Sequence, residues 1–523
     1  AHVFARNEQW CYLDFFQPLR TALNHAKFTL TMHSLRPEDV LPGGNRLNPP
    51  EPTKNQLQET TAGYSVWTDP RGSFVWLSFY ARYLNTDTGD AKDAQTKQRK
   101  KLEASKSTTK ARLMKMAKAT CSLPLIVQRR RLGAQVFANP KAFTTPLPKN
   151  RHCKCCTVAL TLLVPKKRCH LCSYRVCTKC AIKQQIERSQ SNSSTQVVSV
   201  CTTCMRRVNA ADYDDLPSGT ASPACIKADS EDRQSPGKSV SKTLVDFLRN
   251  SFEKTDDAAR KQALMQVARS LLETQEDVEA SSSSSQKNRS LPRHHSSVDS
   301  KDSKRSDEDF YMNALESKLR VKEYALEECQ VAHPEMRAYP IEYREADPVD
   351  GVTAYPIPSD EQQRVDFVGT QRLSDFLNSP ELEIICVIAS QEMQCAAGLV
   401  TVIAQDKIHI VASNDLGYQN LVVPREESIC SHMVMSDKPL LLPHPAADIR
   451  FNKMPPVASN GVRFYCGFPL LAPDKTVFGS VCCVDSKSHE VTQAQYSVMM
   501  KLATTATRVM ELHGANANAQ AIP

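Results

Sequence analysis

Four Cys-x-x-Cys pairs constrain the fold of this chain more than any other feature of its sequence. The pairs are Cys153/Cys156, Cys169/Cys172, Cys177/Cys180 and Cys201/Cys204, eight of the 19 cysteines. A Cys-x-x-Cys turn directs two thiolates at one metal ion, and a closed tetrahedral zinc site needs two such turns. Four turns therefore predict two structural zinc ions, and neither site would keep an open position for a catalytic water.

The spacing of the pairs favours one way of sharing the two ions. Four residues separate the second pair from the third, whereas twelve and twenty residues flank these two pairs. A four-residue linker makes it awkward for both pairs to wrap the same ion, so we expect the first pair to join the third and the second to join the fourth. One site would then hold Cys153, Cys156, Cys177 and Cys180, and the other Cys169, Cys172, Cys201 and Cys204. Two sequential zinc ribbons are the alternative, and disulfides are less favoured.

Positive charge is concentrated in and before this cysteine-rich part. The chain carries a net charge of +9, with 13 Lys or Arg against two acids in residues 92–131 and 12 against one in residues 149–207. Such a concentration indicates an anionic partner, either a phosphoinositide-bearing membrane or nucleic acid. Nucleic acid is the less favoured partner, because the basic stretches lack interleaved aromatic residues for base stacking.

Composition also indicates the compartment and the class of protein. The remaining cysteines show no pairing pattern, which favours a reducing, cytoplasmic environment. No apolar run approaches the roughly 18 residues that span a bilayer. The sequence shows no Gly-rich phosphate loop, no convincing carboxylate pair and no open metal site, so we expect a protein that is not an enzyme.

Changes in composition divide the chain into segments and predict a multidomain α+β protein with disordered linkers. The predicted segments are an N-terminal α+β region (1–145), the zinc finger (149–207), a linker (208–240), a helical segment (241–278), a disordered Ser-rich linker (279–308), a helix (309–331) and a C-terminal domain (358–513). Within the first region, Phe15, Phe16, Leu19 and Leu23 suggest an amphipathic helix, whereas residues 64–67 and 73–83 suggest strands. Its place before the finger loosely resembles proteins that carry a START-like lipid-transfer domain there. An interaction domain of unknown type is the alternative, and it is at least equally favoured.

In the C-terminal domain the sequence predicts strands at 398–404, 407–412, 462–471 and 477–485. It also predicts a final helix that begins at Thr492, with Gln495 completing a capping box. The motifs of the domain are Ser428-Ile-Cys-Ser-His432, Lys438-Pro-Leu-Leu-Leu-Pro443, Asp448-Ile-Arg-Phe-Asn452, Val462-Arg-Phe-Tyr-Cys-Gly-Phe-Pro-Leu470 and Phe478-Gly-Ser-Val-Cys-Cys-Val-Asp485. These five segments, in this order, resemble the GAF domain. The resemblance implies a central antiparallel sheet with flanking helices, and a pocket that in some members holds a small ligand. Arg463 and Asp485 are candidates for a polar network that stabilises the fold or for side chains that hold a ligand. Cys430 and His432 are a less favoured candidate pair for nucleophilic catalysis.

The cysteine-rich segment resembles the FYVE zinc finger. Lys167-Arg-Cys-His-Leu-Cys172 and Val176-Cys-Thr-Lys-Cys180 align with the basic motif and following knuckle of that family, which binds phosphatidylinositol 3-phosphate. Lys167 and Arg168 stand where the family has two histidines, and His170 stands where it has an arginine. The resemblance therefore implies a cationic site with weaker lipid selectivity. Its candidate lipid-binding residues are Lys166, Lys167, Arg168, His170 and Arg175.

The apolar run 158–164 has two interpretations, a loop that inserts into the membrane or a strand in the small core of the finger. For the whole chain we expect a zinc-dependent adaptor, peripheral on endosomal-type membranes, whose GAF domain binds a small ligand or protein partners. The alternative is a protein-interaction or ubiquitin-pathway scaffold, because RING fingers use the same cross brace. All eight candidate ligands are Cys, whereas RING patterns usually include a His, and this favours the adaptor.

Overall fold

The computed structural model describes residues 8–9, 12–20, 26–34, 55–56, 60–68, 75–83, 109–143, 146–186, 196–216, 226–229, 240–280, 313, 315–343, 351–371 and 376–520. These belong to two compact units, Ala1–Gln128 and Arg129–Pro523. No helix within these ranges is long and apolar enough to cross a membrane. The predicted Ser-rich linker (279–308) lies outside the described residues except for positions 279–280, as does much of the predicted linker 208–240.

An antiparallel sheet dominates the first unit. The elements are β1 (Glu8–Gln9), β2 (Tyr12–Arg20), β3 (Ala26–Ser34), β4 (Asn55–Gln56), β5 (Thr60–Thr68), β6 (Val75–Tyr83) and helix α1 (109–120). The sheet has the order β2-β3-β5-β6, and β1 pairs with β4 in parallel. The two strands predicted at 64–67 and 73–83 are confirmed. The helix predicted from Phe15, Phe16, Leu19 and Leu23 is wrong, because the first three residues pair along β2 with β3. Leu23 lies outside the described residues.

The cysteine-rich module consists of two small hairpins and a closing helix. Helix α2 (Leu123–Gly133) precedes it, and its elements are β7 (Phe137–Ala138), β8 (Lys166–Arg168), β9 (Arg175–Cys177), β10 (Ala181–Ile186), β11 (Gln196–Cys201) and α3 (Thr202–Ala210). β8 pairs with β9 and β10 with β11, both antiparallel. β9 ends at Cys177 and β11 ends at Cys201, so each hairpin brings a strand end to one of the Cys-x-x-Cys turns.

The segment between the module and the C-terminal domain is mainly helical, and it packs as part of the C-terminal core. Its elements are β12 (Ile226–Lys227), α4 (Val240–Glu253), α5 (Ala258–Ala280), α6 (315–318) and β13 (Met336–Arg337). Leu244, Leu264 and Leu271 are buried on the inner faces of α4 and α5, at the three- and four-residue spacing of an amphipathic helix. The helix predicted over 309–331 is limited in the described residues to α6 and a 3-10 turn at Leu326–Glu328.

A six-stranded antiparallel sheet forms the C-terminal domain. The elements are α7 (Glu361–Thr370), α8 (Pro380–Met393), β14 (Ala397–Ile403), β15 (Lys407–Ser413), β16 (Val422–Pro424), β17 (Leu440–Leu442), α9 (Pro455–Ala458), β18 (Phe464–Leu471), β19 (Val477–Asp485), β20 (Val491–Thr492) and α10 (Gln493–Gln520). The strand order is β16-β15-β14-β19-β18-β17. The predicted capping box at the start of α10 is confirmed, since Thr492 N–H donates to Gln495 Oε1 at 3.0 Å and Gln495 N–H donates to Thr492 Oγ1 at 3.4 Å.

Both faces of this sheet are covered, so its central strands are buried throughout. Cys483 of β19 faces a core shared with α4, α5, α8 and α10, while the adjacent Cys482 faces a second core under the loops of the other side. Alternate residues of a strand point to opposite faces, which explains the separation of these two thiols. Gly398 lets α8 approach closely, because a Cβ there would lie 2.3 Å from the carbonyl oxygen of Cys386.

The cysteine-rich module and the C-terminal domain share a third hydrophobic core. Ile341, Tyr343 and Ile449 pack among the module residues Leu171, Val200 and Val208, all of them buried. β7, which precedes the module, pairs in parallel with β13. The segment 336–343 and the loop carrying Ile449 therefore hold the module against the C-terminal domain.

Candidate metal centres

The first sulfur cluster contains Cys153, Cys156, Cys177 and Cys180, with all four Sγ atoms within 4.8 Å of one another. Cys153 and Cys156 lie in a turn, Cys177 ends β9, and Cys180 ends the 3-10 turn that follows. The Sγ atoms of Cys156 and Cys177 are 3.7 Å apart, and the Cys177 N–H donates to Cys153 Sγ at 3.4 Å. Cys153 is buried and Cys156 is exposed, so this cluster is open on one side.

The second cluster contains Cys169, Cys172, Cys201 and Cys204, and it is closed to solvent. The Sγ distances are 3.8 Å for Cys169–Cys204 and 3.9 Å for Cys172–Cys201. The Cys201 N–H donates to Cys169 Sγ at 3.3 Å, and the Cys204 N–H donates to Cys201 Sγ at 3.4 Å. These N–H groups stabilise charged thiolates more than neutral thiols.

Both clusters fit zinc by their donors and by their size. A Zn–S bond of about 2.3 Å gives a tetrahedron whose edge is about 3.8 Å, and the measured sulfur separations are 3.7, 3.8 and 3.9 Å. A disulfide would require about 2.05 Å, and all eight cysteines are free. The two clusters are the alternating sets expected from the spacing of the four pairs. Each can hold one zinc ion, whose chemistry in an all-thiolate site is to stabilise the fold.

Ser173 follows the second knuckle in a left-handed conformation, with φ of 69°. Glycine adopts such a φ at less cost than serine does. Ser173 is fully buried, and its hydroxyl makes no hydrogen bond to any residue that the structure describes. Ser173 is therefore a strained position beside the candidate metal centre.

Tyr343 lies outside the cysteine-rich module and contacts the second cluster. Its hydroxyl lies 2.9 Å from Cys204 Sγ, and the Arg207 guanidinium lies 4.7 Å from the centre of its ring. Burial, followed by the neighbouring cysteine sulfurs, raises the pKa of Tyr343 well above its usual value, so its O–H donates to a thiolate. Arg207 also donates to the carbonyls of Gly351 at 2.9 Å and Ile449 at 3.5 Å. Four thiolates around one zinc ion leave a net negative charge, which this tyrosine and arginine can offset.

Tyr343→Phe is expected to weaken zinc binding at the second cluster about 10-fold or more, because loss of an outer hydrogen bond to a metal ligand typically has this effect. The measurement is the rate at which the full chain transfers zinc to a chromogenic chelator. Tyr213→Phe is the matched control, since its hydroxyl donates to the Val208 carbonyl at 2.8 Å and the contact involves no sulfur. Equal release from the two variants would assign Tyr343 a packing role alone.

The candidate lipid-binding residues lie together on and beside the first hairpin. Lys166 and Lys167 are exposed, while Arg168 and Arg175 are half-buried and face each other across β8 and β9. Burial first, and then the nearby Arg175, lower the pKa of Arg168. Arg168 donates to the carbonyls of Pro148 at 3.4 Å and Ser173 at 2.5 Å, so it also supports the fold. His170 is exposed, and its Nδ1 accepts the Ser199 N–H at 3.0 Å.

The GAF residues singled out in the sequence have separate partners. Cys430 Sγ lies 3.8 Å from Cys482 Sγ and accepts from the Tyr465 hydroxyl at 3.4 Å, whereas His432 Nδ1 lies 2.9 Å from the Tyr339 hydroxyl. The structure therefore does not bring Cys430 and His432 together as a nucleophilic pair.

The structure also does not form a side-chain pair between Arg463 and Asp485. The Arg463 guanidinium bonds to the Val457 carbonyl and pairs with Asp215, and only its backbone N–H reaches the Asp485 carbonyl.

Sequence reasoning missed Tyr343 and Arg207 as residues of the metal centre. Tyr343 lies 139 positions from Cys204, and no local spacing connects them. Arg207 carried a weak signal, because it lies one turn beyond Cys204 on a helix, and residues three apart on a helix share a face.

The GAF family model, described as the GAF domain, matches residues 380–509. No curated protein matches the chain. Among solved structures, the chromophore-binding domain of an unusual bacteriophytochrome RpBphP3 from R. palustris is 12% identical, with a TM-score of 0.23, over 30% of this chain and 63% of that one. The GAF domain of Acinetobacter phosphoenolpyruvate-protein phosphotransferase is 12% identical, with a TM-score of 0.23, over 30% of this chain and 94% of that one.

The GAF-B domain of DevS from Mycobacterium smegmatis is 17% identical, with a TM-score of 0.22, over 26% of this chain and 96% of that one. These global scores are low, so the assignment rests on the family model. The matched range lies within the segment 358–513 that the sequence motifs delimited, and it covers the six-stranded sheet together with α8 and most of α10. Residues 380–509 are therefore a GAF domain.

Proposed function

We propose that this chain is a non-enzymatic adaptor whose zinc-folded module docks on anionic, phosphoinositide-bearing membranes of the endosomal type. The observation that carries the proposal is a pair of exposed leucines beside exposed lysines. Leu162 and Leu163 are 99% and 92% exposed, in the loop that leads directly into Lys166 and Lys167 of β8. Of the two interpretations of this apolar run, membrane insertion is the better supported.

Apolar and cationic groups at one edge suit a membrane interface. Burying a leucine side chain contributes roughly 1.5–3 kcal/mol, and each Lys near an anionic leaflet contributes about 1 kcal/mol. Two leucines and two lysines therefore supply a useful but modest membrane affinity. Arg168 and Arg175 lie next to this edge and add positive charge behind it.

Leu162→Glu/Leu163→Glu is expected to reduce vesicle binding about 10-fold or more, because it replaces apolar groups at the membrane boundary with charges that the anionic surface repels. The measurement is co-sedimentation of the full chain with phosphatidylcholine vesicles that contain phosphatidylinositol 3-phosphate, another phosphoinositide or phosphatidylserine, at two salt concentrations. Leu416→Glu is the matched control, since Leu416 is 87% exposed on the GAF domain.

Preference for the 3-phosphate lipid at the higher salt concentration would support a specific head-group site. Equal, salt-sensitive binding to all three lipids would reduce the proposal to a general basic surface. Wild-type affinity in the Leu162/Leu163 variant would overturn it.

The GAF domain supplies the second half of the proposed adaptor. GAF domains suggest ligand sensing or partner binding, and here the domain shares a hydrophobic core with the zinc module. A partner or ligand bound by the GAF domain would therefore be carried with the module to the membrane.

The competing scaffold function predicts ubiquitin conjugation by the full chain with a conjugating enzyme, and such activity would count against the adaptor.

A further inference from the structure

We propose that Cys395, Asp485 and His489 form a third metal site, on the GAF domain, that binds one divalent transition-metal ion of the zinc class. The site is separate from the two sulfur clusters and follows from the geometry of these three side chains. One sulfur, one carboxylate oxygen and His489 Nε2 all lie within 4.8 Å of one another.

Three different parts of the GAF domain supply these ligands. Cys395 follows the end of α8, where Gln394 adopts a left-handed conformation with φ of 53° that turns the chain toward β14. Asp485 ends β19, and His489 lies four residues later in the loop before β20. His489 Nε2 is 3.2 Å from Asp485 Oδ2. Two ligand atoms at about 2.0–2.1 Å from a tetrahedral ion lie about 3.3 Å apart, so this separation suits a shared metal.

Surrounding groups hold the oxygen and nitrogen donors in place. The Asp485 carboxylate accepts the N–H groups of Ala396 and Lys487, each at 3.0 Å. The His489 ring packs edge-on against Phe464 at 5.1 Å between ring centres. Fixed orientation of this kind reduces the cost of assembling a metal site.

The contact between His489 and Asp485 leaves the histidine incompletely satisfied. His489 Nε2 is buried and lies 3.2 Å from Asp485 Oδ2, but this contact falls outside good hydrogen-bonding geometry. A buried polar nitrogen without a well-aligned hydrogen bond is costly, and a metal ion shared with the carboxylate would satisfy it. The mixed sulfur, nitrogen and oxygen donors match zinc in both ligand type and number.

This arrangement differs from the two tetrathiolate clusters because, among the residues that the structure describes, three side chains provide its ligands. The side chains of His489 and Asp485 keep 22% and 12% of their surface exposed, so an ion can enter from solvent. Water would occupy the fourth position, and the site would bind zinc more weakly and more reversibly than the closed clusters.

The test is calorimetric titration of ZnCl₂ into the purified full chain after its tetrathiolate sites have been filled. We expect one further equivalent for the wild type. His489→Ala and Cys395→Ser should each weaken this additional binding by about 100-fold or abolish it. His513→Ala is the matched control, because His513 also lies near a carboxylate, 3.5 Å from Glu381, but outside the proposed site.

Thermal unfolding without added zinc checks that the variants fold, and Cys395→Ser removes a ligand by a change of one atom if His489→Ala is unstable. A wild type that binds no further zinc overturns the proposal, as does wild-type affinity in folded His489→Ala or Cys395→Ser. Equal loss of binding in His513→Ala would also contradict it, because that histidine lies outside the site.

Discussion

Cys201→Ser is expected to abolish zinc binding at the second cluster and to unfold the cysteine-rich module. Cys201 and its three partners are at most 1% exposed, so no solvent ligand can readily replace the lost thiolate. Zinc binding contributes about 10–16 kcal/mol to the folding of zinc-finger peptides, which is comparable with the whole stability of a typical domain. The measurements are zinc content per chain, which should fall from two tightly held ions to one or none, and amide hydrogen exchange over residues 196–208.

The first cluster provides the comparison, and Cys121→Ser provides the control. Cys156 is exposed, so a chelator should remove zinc from the first cluster before the second, and Cys156→Ser should cause less unfolding than Cys201→Ser. Cys121 is exposed and belongs to neither cluster, so its replacement should leave both ions bound. Two retained ions in Cys201→Ser would show that the second cluster is not a zinc site.

The second large effect is expected for Glu361→Gln, which should destabilise the C-terminal unit by about 3–5 kcal/mol. Glu361 pairs with two arginines, with nearest distances of 2.7 Å to Arg364 and 2.5 Å to Arg425. The arginine side chains are 1% and 0% exposed, and Glu361 is 20% exposed. An uncharged amide would leave two buried guanidinium groups without their carboxylate, which costs far more than losing a surface ion pair. Urea unfolding monitored on the full chain measures the difference.

The pH dependence of this difference follows from the direction of the Glu361 pKa. Burial alone would raise that pKa, but hydrogen bonds and charge attraction from Arg364 and Arg425 lower it. The stabilisation is therefore complete above the unfolded-state value of about 4.3 and is lost as the pH falls through the lower folded-state pKa. The difference in stability between the wild type and Glu361→Gln should shrink as the pH falls below about 4.3 and vanish below the folded-state pKa. Asp366→Asn, an exposed residue of the same helix, is the control, and equal destabilisation by both changes would rule out the buried pairs as the cause.

Local covalent spacing explains what could be predicted from the sequence. The four Cys-x-x-Cys pairs indicated which sulfurs meet, because a four-residue linker limits the reach of neighbouring knuckles. The same kind of local information gave the strands at 398–404, 407–412 and 477–485, and the capping box of Thr492 and Gln495. Local information gave the wrong prediction for Tyr12–Arg20. The apolar residues there have a helical spacing that is also compatible with a strand, and pairing with β3 decided the outcome.

The sequence by itself determined which cysteines come together in two sets of four, the presence of a C-terminal GAF domain and the basic character of the cysteine-rich module, since each depends on short segments of the chain. Only the tertiary structure decided which groups surround these sites. Tyr343 reaches Cys204 across 139 positions, α4 and α5 join the GAF core, and Cys395 approaches Asp485 and His489 from a different element. Such contacts depend on how elements pack, and packing is set by the sum of many buried side chains, which no local pattern records.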